Sequence, residues 1–138
     1  MPKLDIIHEP VKNALIKDGW SITDDPYIIK YRKTTLYADL GAERPIGIER
    51  GEHKLVVEVK SLLGTSKIQD FKEALGQYDI YRYLLEETAP ERKLYIAVSE
   101  VAYNTFFTGD VAQLILSKHQ LSIIVVDIDS EEITKWIN

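Results

Sequence analysis

The chain has 138 residues, 45% of them hydrophobic and 28% charged, with a formal net charge of −5. That length suffices for one domain with a sizeable core, and no window approaches the roughly 20 apolar residues of a membrane span. The absence of cysteine excludes disulfides and thiolate metal sites, the acidic balance argues against a general nucleic-acid coat protein, and the polar N-terminus lacks the apolar run of a secretory signal, so an intracellular, cytoplasmic protein is expected.

Residues 5–18 read as a helix, with Ile7, Val11, Ala14, Leu15 and Asp18 at helical spacing and Gly19 as its stop. Pro10 is tolerated only in a first turn, so the regular helix is expected to begin near His8. His8 and Glu9 then stand at the helix start, where capping and solvated charge account for them. Trp20 to Thr23 is a short β-like piece closed by Asp24-Asp25-Pro26. Tyr27 to Tyr31 is β-branched and aromatic and reads as a strand. Arg32-Lys33-Thr34 turns the chain, and Thr35 to Leu40 returns as the hairpin partner. Gly41 to Pro45 reads as a loop, Ile46 to Glu49 as a further short strand, and Arg50 to His53 as a turn.

Lys54 to Lys60 is the most informative stretch. In a strand successive side chains alternate between faces, so Leu55, Val57 and Val59 point one way and Val56, Glu58 and Lys60 the other. A carboxylate and an ammonium thus share one face of a central strand, where burial is costly unless the charges pair or hold a metal. Upstream, Leu36-Tyr37-Ala38-Asp39 ends another strand-like run in a carboxylate. An Asp followed by Glu-x-Lys on the next strand suits a metal-dependent phosphodiesterase; the same residues also suit a solvated salt bridge at a strand end.

Ser66 can cap a long helix from Lys67 to about Glu87, with Ile68, Phe71, Leu75, Tyr78, Arg82 and Leu85 as its stripe. Gly76 costs about 1 kcal/mol against Ala inside a helix, which predicts close packing there. Gln77 lies one position off the stripe, within reach of the charged strand end. Lys93 to Ser99 is a buried strand. Glu100 to Phe107 and Val111 to His119 are helical, broken at Gly109. Leu121 to Ile128 is a second buried, parallel strand, and Ile133 to Ile137 an edge strand. Long apolar strands alternating with helices predict a mixed sheet with helices on both sides.

This order of elements, with Asp39 and then Glu58-x-Lys60 before a helix, resembles the common core of the PD-(D/E)XK nuclease superfamily. The resemblance implies a restriction-endonuclease-like, three-layer α/β/α fold with a central mixed β-sheet over residues 1–138. A closer resemblance covers most of the chain. His8 with Val11 to Trp20, Leu36 to Pro45, Val57 to Ser61, Ala74 to Tyr78 and Glu91 to Tyr95 are similar to the XisH family, named as controlling factors for excision of the fdxN DNA element in some cyanobacteria. That implies a role in DNA rearrangement beside an XisI-like small protein and a site-specific recombinase that performs the excision.

The superfamily resemblance implies that Asp39 and Glu58, with the Val59 carbonyl, hold Mg²⁺ or Mn²⁺; Ala38 stands where the motif often has Pro. It implies that Lys60 orients a water and neutralises charge at phosphorus, and that Gln77 positions Lys60 or a phosphate oxygen. Glu9 is a candidate for the acidic residue some members carry on the first helix. Lys30, Arg32, Lys33, Arg44, Arg50 and Lys54 could meet a phosphate backbone, although a solvated hairpin edge accounts for them equally. Tyr27, Tyr31 and Tyr37 are expected to pack rather than stack on bases. With so little positive charge, DNA binding is expected to be weak alone, or to work through a partner or homo-oligomer. Two functions stay open: a metal-dependent DNA endonuclease in element excision, and a non-catalytic accessory factor on a nuclease-like fold.

Overall fold

The computed structural model describes residues 5–45 and 52–138. Its centre is a six-stranded sheet in the order β1-β4-β5-β6-β7-β8, with a separate two-stranded hairpin, β2-β3. The strands are β1 (Ser21–Asp24), β2 (Tyr27–Tyr31), β3 (Thr34–Ala38), β4 (Leu40–Pro45), β5 (Glu52–Val59), β6 (Arg92–Ser99), β7 (Ile123–Asp127) and β8 (Glu132–Ile137). β5, β6 and β7 run parallel, and the flanking pairs are antiparallel. The helices are α1 (His8–Lys17), α2 (Lys67–Thr88), α3 (Glu100–Ala102), continued by a π-helical turn over Tyr103–Phe107, and α4 (Asp110–His119). Among the described residues no helix is long and apolar enough to cross a membrane.

The alternation along β5 divides two cores. Leu55, Val57 and Val59 face Val11, Ala14 and Leu15 of α1, together with Leu40, Ala97, Ile124 and Val126. Val56 faces the other way, toward Phe71, Tyr78, Tyr81 and Leu85 of α2, and this core also takes in Ala112 and Leu116 of α4. Helices therefore cover both faces, as the pattern predicted. Each fully buried large apolar side chain contributes roughly 1.5–3 kcal/mol.

Local signals explain where elements start. Helix α1 begins at His8, with Pro10 in the first turn, where a missing N–H leaves no bond unmade. Gly19 beyond its end has φ +96°, a left-handed conformation that glycine adopts without strain. Ser66 caps α2, its Oγ accepting from the Gln69 N–H at 3.3 Å.

Five expectations are corrected. Gly41 to Pro45 is not a loop but part of β4, an inner strand paired with both β1 and β5. The run looked polar because its charges have specific partners: Glu43 takes Arg92 at 3.0 Å, and Arg44 takes Asp18 at 3.3 Å. A Cβ on Gly41 would lie 2.7 Å from Asp24 Oδ2 and 2.9 Å from the Tyr27 ring, so close approach requires glycine there. The hairpin strand accordingly stops at Ala38, and Asp39 occupies the bend into β4 rather than the end of a meander strand. Glu52 and His53 belong to β5 rather than to a turn, while the strand expected at Ile46 to Glu49, with Arg50, lies outside the described residues. The stripe of α2 is Phe71, Ala74, Tyr78, Tyr81 and Leu85; Ile68 is exposed. Finally, Gly76 is not tightly packed: a Cβ there meets nothing within 4 Å, because it lies on the outer face of the helix.

Candidate functional site

The site forms where two strands stop pairing. The last β4–β5 partners are Leu40 and Val57. Beyond them, Glu58 and Val59 run past the end of β4, and the Asp39 bend folds over the vacated edge. The Val59 N–H donates to Asp39 Oδ2 at 2.6 Å, and the Asp39 N–H donates to Glu58 Oε1 at 3.2 Å. This reciprocal pair replaces the ladder hydrogen bonds the sheet no longer supplies. In a strand a residue's N–H and C=O point to the same side, so the Val59 carbonyl is directed toward Asp39 as well.

Lys60 completes the group. Its backbone N–H bonds to the Ala97 carbonyl at 3.0 Å, extending β5 by one residue, and its Nζ lies 3.8 Å from Glu58 Oε2. Asp39, Glu58, Val59, Lys60, Gln77 and Tyr81 all line a single cavity of about 370 Å³. Of the residues singled out from the sequence, Asp39, Glu58, Val59, Lys60 and Gln77 thus reach one pocket.

Burial and the adjoining Asp39 carboxylate dominate the electrostatics. Glu58 is only 7% exposed. Desolvation first, then the hydrogen bond to and the charge of Asp39, push its carboxyl up to about 9, against a smaller opposing pull from Lys60. Glu58 therefore favours its protonated form at neutral pH. Two carboxyls crowded together with a main-chain carbonyl, all oxygen donors, fit a hard divalent cation that takes the proton's place.

Gln77 acts through a residue the sequence reading did not single out. Its Nε2 donates to the Tyr81 hydroxyl at 3.0 Å, and that hydroxyl donates to the Tyr37 carbonyl at 2.9 Å. The chain ties α2 to the end of β3, just before Asp39. The signal was present: positions 77 and 81 are one helical turn apart and share a face. Tyr27 is half-buried beneath the Arg92 guanidinium, 4.7 Å from its ring centroid, whereas Tyr37 is 40% exposed.

His8 departs from its reading as a solvated helix-start residue. It is 1% exposed, and its Nε2 lies 2.8 Å from Asp25 Oδ1. Its Nδ1 faces Asp39 Oδ1 at 3.9 Å and has no hydrogen-bond partner. Asp25 also takes the Lys12 ammonium at 2.7 Å. Burial pushes the Asp25 carboxyl up, but the hydrogen bonds from Lys12 and His8 outweigh it and hold the group below its ordinary value. No sequence signal linked His8 to Asp25, seventeen positions away. Glu9 is exposed, as expected, and does not reach the cavity. Asp5 braces the floor: its Oδ2 accepts from the Ser61 N–H at 3.1 Å, joining the approach to α1 to the end of β5.

The expected basic surface is dispersed. Lys30, Arg32 and Lys33 are exposed on the outer end of the β2–β3 hairpin. Arg44 is held by Asp18 and lies over the Trp20 ring at 4.6 Å. Arg44 and Lys54 sit at the opposite end of β4 and β5 from Glu58, roughly 15 Å away at the rise of a strand.

The family model described as XisH protein matches residues 1–134. An XisH family protein from Nostoc punctiforme is 41% identical, with a TM-score of 0.87 over 97% of this chain and 100% of that one. An fdxN element excision controlling factor protein from Anabaena variabilis is 43% identical, with a TM-score of 0.87 over 98% of this chain and 100% of that one. Comparison with curated proteins returned no match.

Proposed function

This chain belongs to the XisH family, and on that premise we propose that it is a metal-dependent phosphodiesterase of the PD-(D/E)XK, restriction-endonuclease-like type, acting on DNA in the excision of an fdxN-type element. The observation that carries the reading is the convergence of Asp39, Glu58 and Lys60 on one polar cavity at the open end of β5. Asp39, Glu58 and the Val59 carbonyl would hold Mg²⁺ or Mn²⁺. When bound, such a cation polarises a phosphodiester and lowers the pKa of an attacking water.

The chain's own residues supply the rest. Lys60 offers a compact positive charge beside Glu58, able to orient a water and to balance charge developing on phosphorus. Gln77 uses its amide N–H on Tyr81, which leaves its carbonyl oxygen as an acceptor at the cavity wall. Tyr81 holds the Tyr37 carbonyl and so steadies the bend that presents Asp39. The net charge of −5 and the scattered cations imply weak DNA affinity for the isolated chain. A partner, such as an XisI-like small protein or a recombinase, or a second copy, would then supply basic surface. The same acidic charge favours the second reading, a non-catalytic accessory factor on this fold.

The test is nicking of supercoiled plasmid and branched DNA with Mg²⁺ or Mn²⁺, comparing wild type with Asp39→Ala and Lys60→Ala while circular dichroism monitors folding. Cleavage by wild type that both variants lose, without unfolding, supports the phosphodiesterase. Equal cleavage by all three indicates a contaminant and rejects this site, and no cleavage by wild type selects the accessory role.

A further inference from the structure

A second cavity, of about 640 Å³, lies at the other end of the sheet, where β5 and β6 begin. Its volume falls in the usual range for small-ligand pockets. We propose that it binds a nucleotide, with the base stacked on Trp136 and the phosphate held by Arg44 and Lys93. None of the residues lining the Asp39–Glu58 cavity takes part.

Three observations carry it. First, the floor is aromatic. The Trp20 and Trp136 rings lie 5.9 Å apart, and Tyr95 meets Trp136 edge-on at 5.2 Å. Trp20 and Tyr95 are each 6% exposed, whereas Trp136 is only half-buried, so Trp136 is the ring left to receive a further planar group. Second, cations are fixed over the two rings that contact Trp136. The Arg44 guanidinium lies 4.6 Å from the Trp20 centroid, and Lys93 Nζ lies 5.3 Å from that of Tyr95. Both keep donors to spare. Asp18 takes only Nη1 of Arg44, and Asn138 Oδ1 accepts from Lys93 at 2.8 Å, which uses one of three ammonium protons. Arg44 stands opposite His53, and Lys93 stands beside Leu55 two residues on. At strand spacing the two backbones are therefore roughly 12 Å apart, a gap that an Arg and a Lys side chain span together. Third, the charge suits an anion. Among the described residues, Arg44, Lys54 and Lys93 line the cavity against one carboxylate, Glu91, in a chain whose net charge is −5.

Aromatic faces beside cations hold nucleotides without reading sequence: the base stacks on a ring, and the cations take the phosphate. An apolar ligand would leave the cations unanswered, and a bare phosphate would leave the rings unused. The same chemistry serves a free nucleotide or one nucleotide of a single strand.

The chain's two tryptophans are Trp20 and Trp136, and neither lines the cavity at Glu58, so intrinsic fluorescence reads this site. The experiment titrates the full chain, with chelator present, with dAMP, with deoxyadenosine and with a 5′-phosphorylated tetradeoxyadenylate. Excitation is set at the red edge of tryptophan absorption, where adenine is transparent. Wild type is expected to show saturable quenching by dAMP, with deoxyadenosine bound at least tenfold more weakly for want of charge-assisted hydrogen bonds. Lys93→Ala should weaken dAMP binding at least fivefold and leave deoxyadenosine unchanged. A tetranucleotide bound at least tenfold more tightly than dAMP identifies the ligand as part of a single strand, and equal affinities identify it as a free nucleotide. No saturable quenching by dAMP or the tetranucleotide overturns the proposal, as do equal affinities for dAMP and deoxyadenosine. Both of those results are read on wild type, so a misfolded variant does not decide the matter.

Discussion

Replacing Glu58 with Gln is expected to stabilise the metal-free protein, by an amount that grows with pH. The carboxyl of Glu58 is moved from 4.5 to about 9 by burial and by Asp39, so folding takes up a proton there. The stability attached to that proton is fully present below pH 4.5 and is lost progressively as pH rises toward 9. At about 1.4 kcal/mol per pH unit, the loss reaches at most about 3 kcal/mol at pH 7. Against a typical total of roughly 5–15 kcal/mol that is a large fraction. Gln fits the same space, keeps an oxygen for the Asp39 N–H, and offers an N–H to the Asp39 carboxylate without a charge to desolvate. The assay is urea unfolding of wild type and Glu58→Gln from pH 4 to 9 with chelator present. Curves that converge near pH 4 and separate with rising pH are expected. A difference that stays constant between pH 5 and 9 would refute the argument, since Glu58 would then be ionised in the folded protein.

The same proton couples to metal binding. A divalent cation should release about one proton at pH 7, and its affinity should rise about tenfold per pH unit until pH approaches 9; calorimetry in buffers of different ionisation enthalpy reads the proton count. Tyr81→Phe removes the donor to the Tyr37 carbonyl and the acceptor for Gln77. It should cost about 1 kcal/mol in denaturant unfolding and reduce any cleavage more than it reduces DNA binding. Gly76→Ala introduces a methyl that meets nothing within 4 Å and should stabilise α2 by about 1 kcal/mol, seen as a higher melting temperature with the site unaffected.

Much of the site was legible because it is local. Glu58 and Lys60 share a face by the two-residue repeat of a strand, and Asp39 follows an alternating run. Gln77 sits one turn from Tyr81, so α2 carries both toward the same place. Pro10 and Gly19 marked the ends of α1 for equally local reasons, and the division of β5 into two cores followed from its alternation.

Other features depended on contacts remote along the chain. Nothing in the run Gly41 to Pro45 announced an inner strand, because its charges are answered by Arg92 and Asp18 and its glycine by the packing of Asp24 and Tyr27. The bend that turns Asp39 onto Glu58 exists because β4 enters the sheet while β3 does not. His8 was indistinguishable from a solvated helix-start residue until folding brought Asp25 and Asp39 to its two nitrogens. Residue order by itself determined which side chains could share a face, since that periodicity is a property of the local backbone. Which faces meet, and hence which buried groups go unpaired or hold a proton, was decided only by the tertiary structure, because pairing and desolvation depend on neighbours the chain brings in from far away.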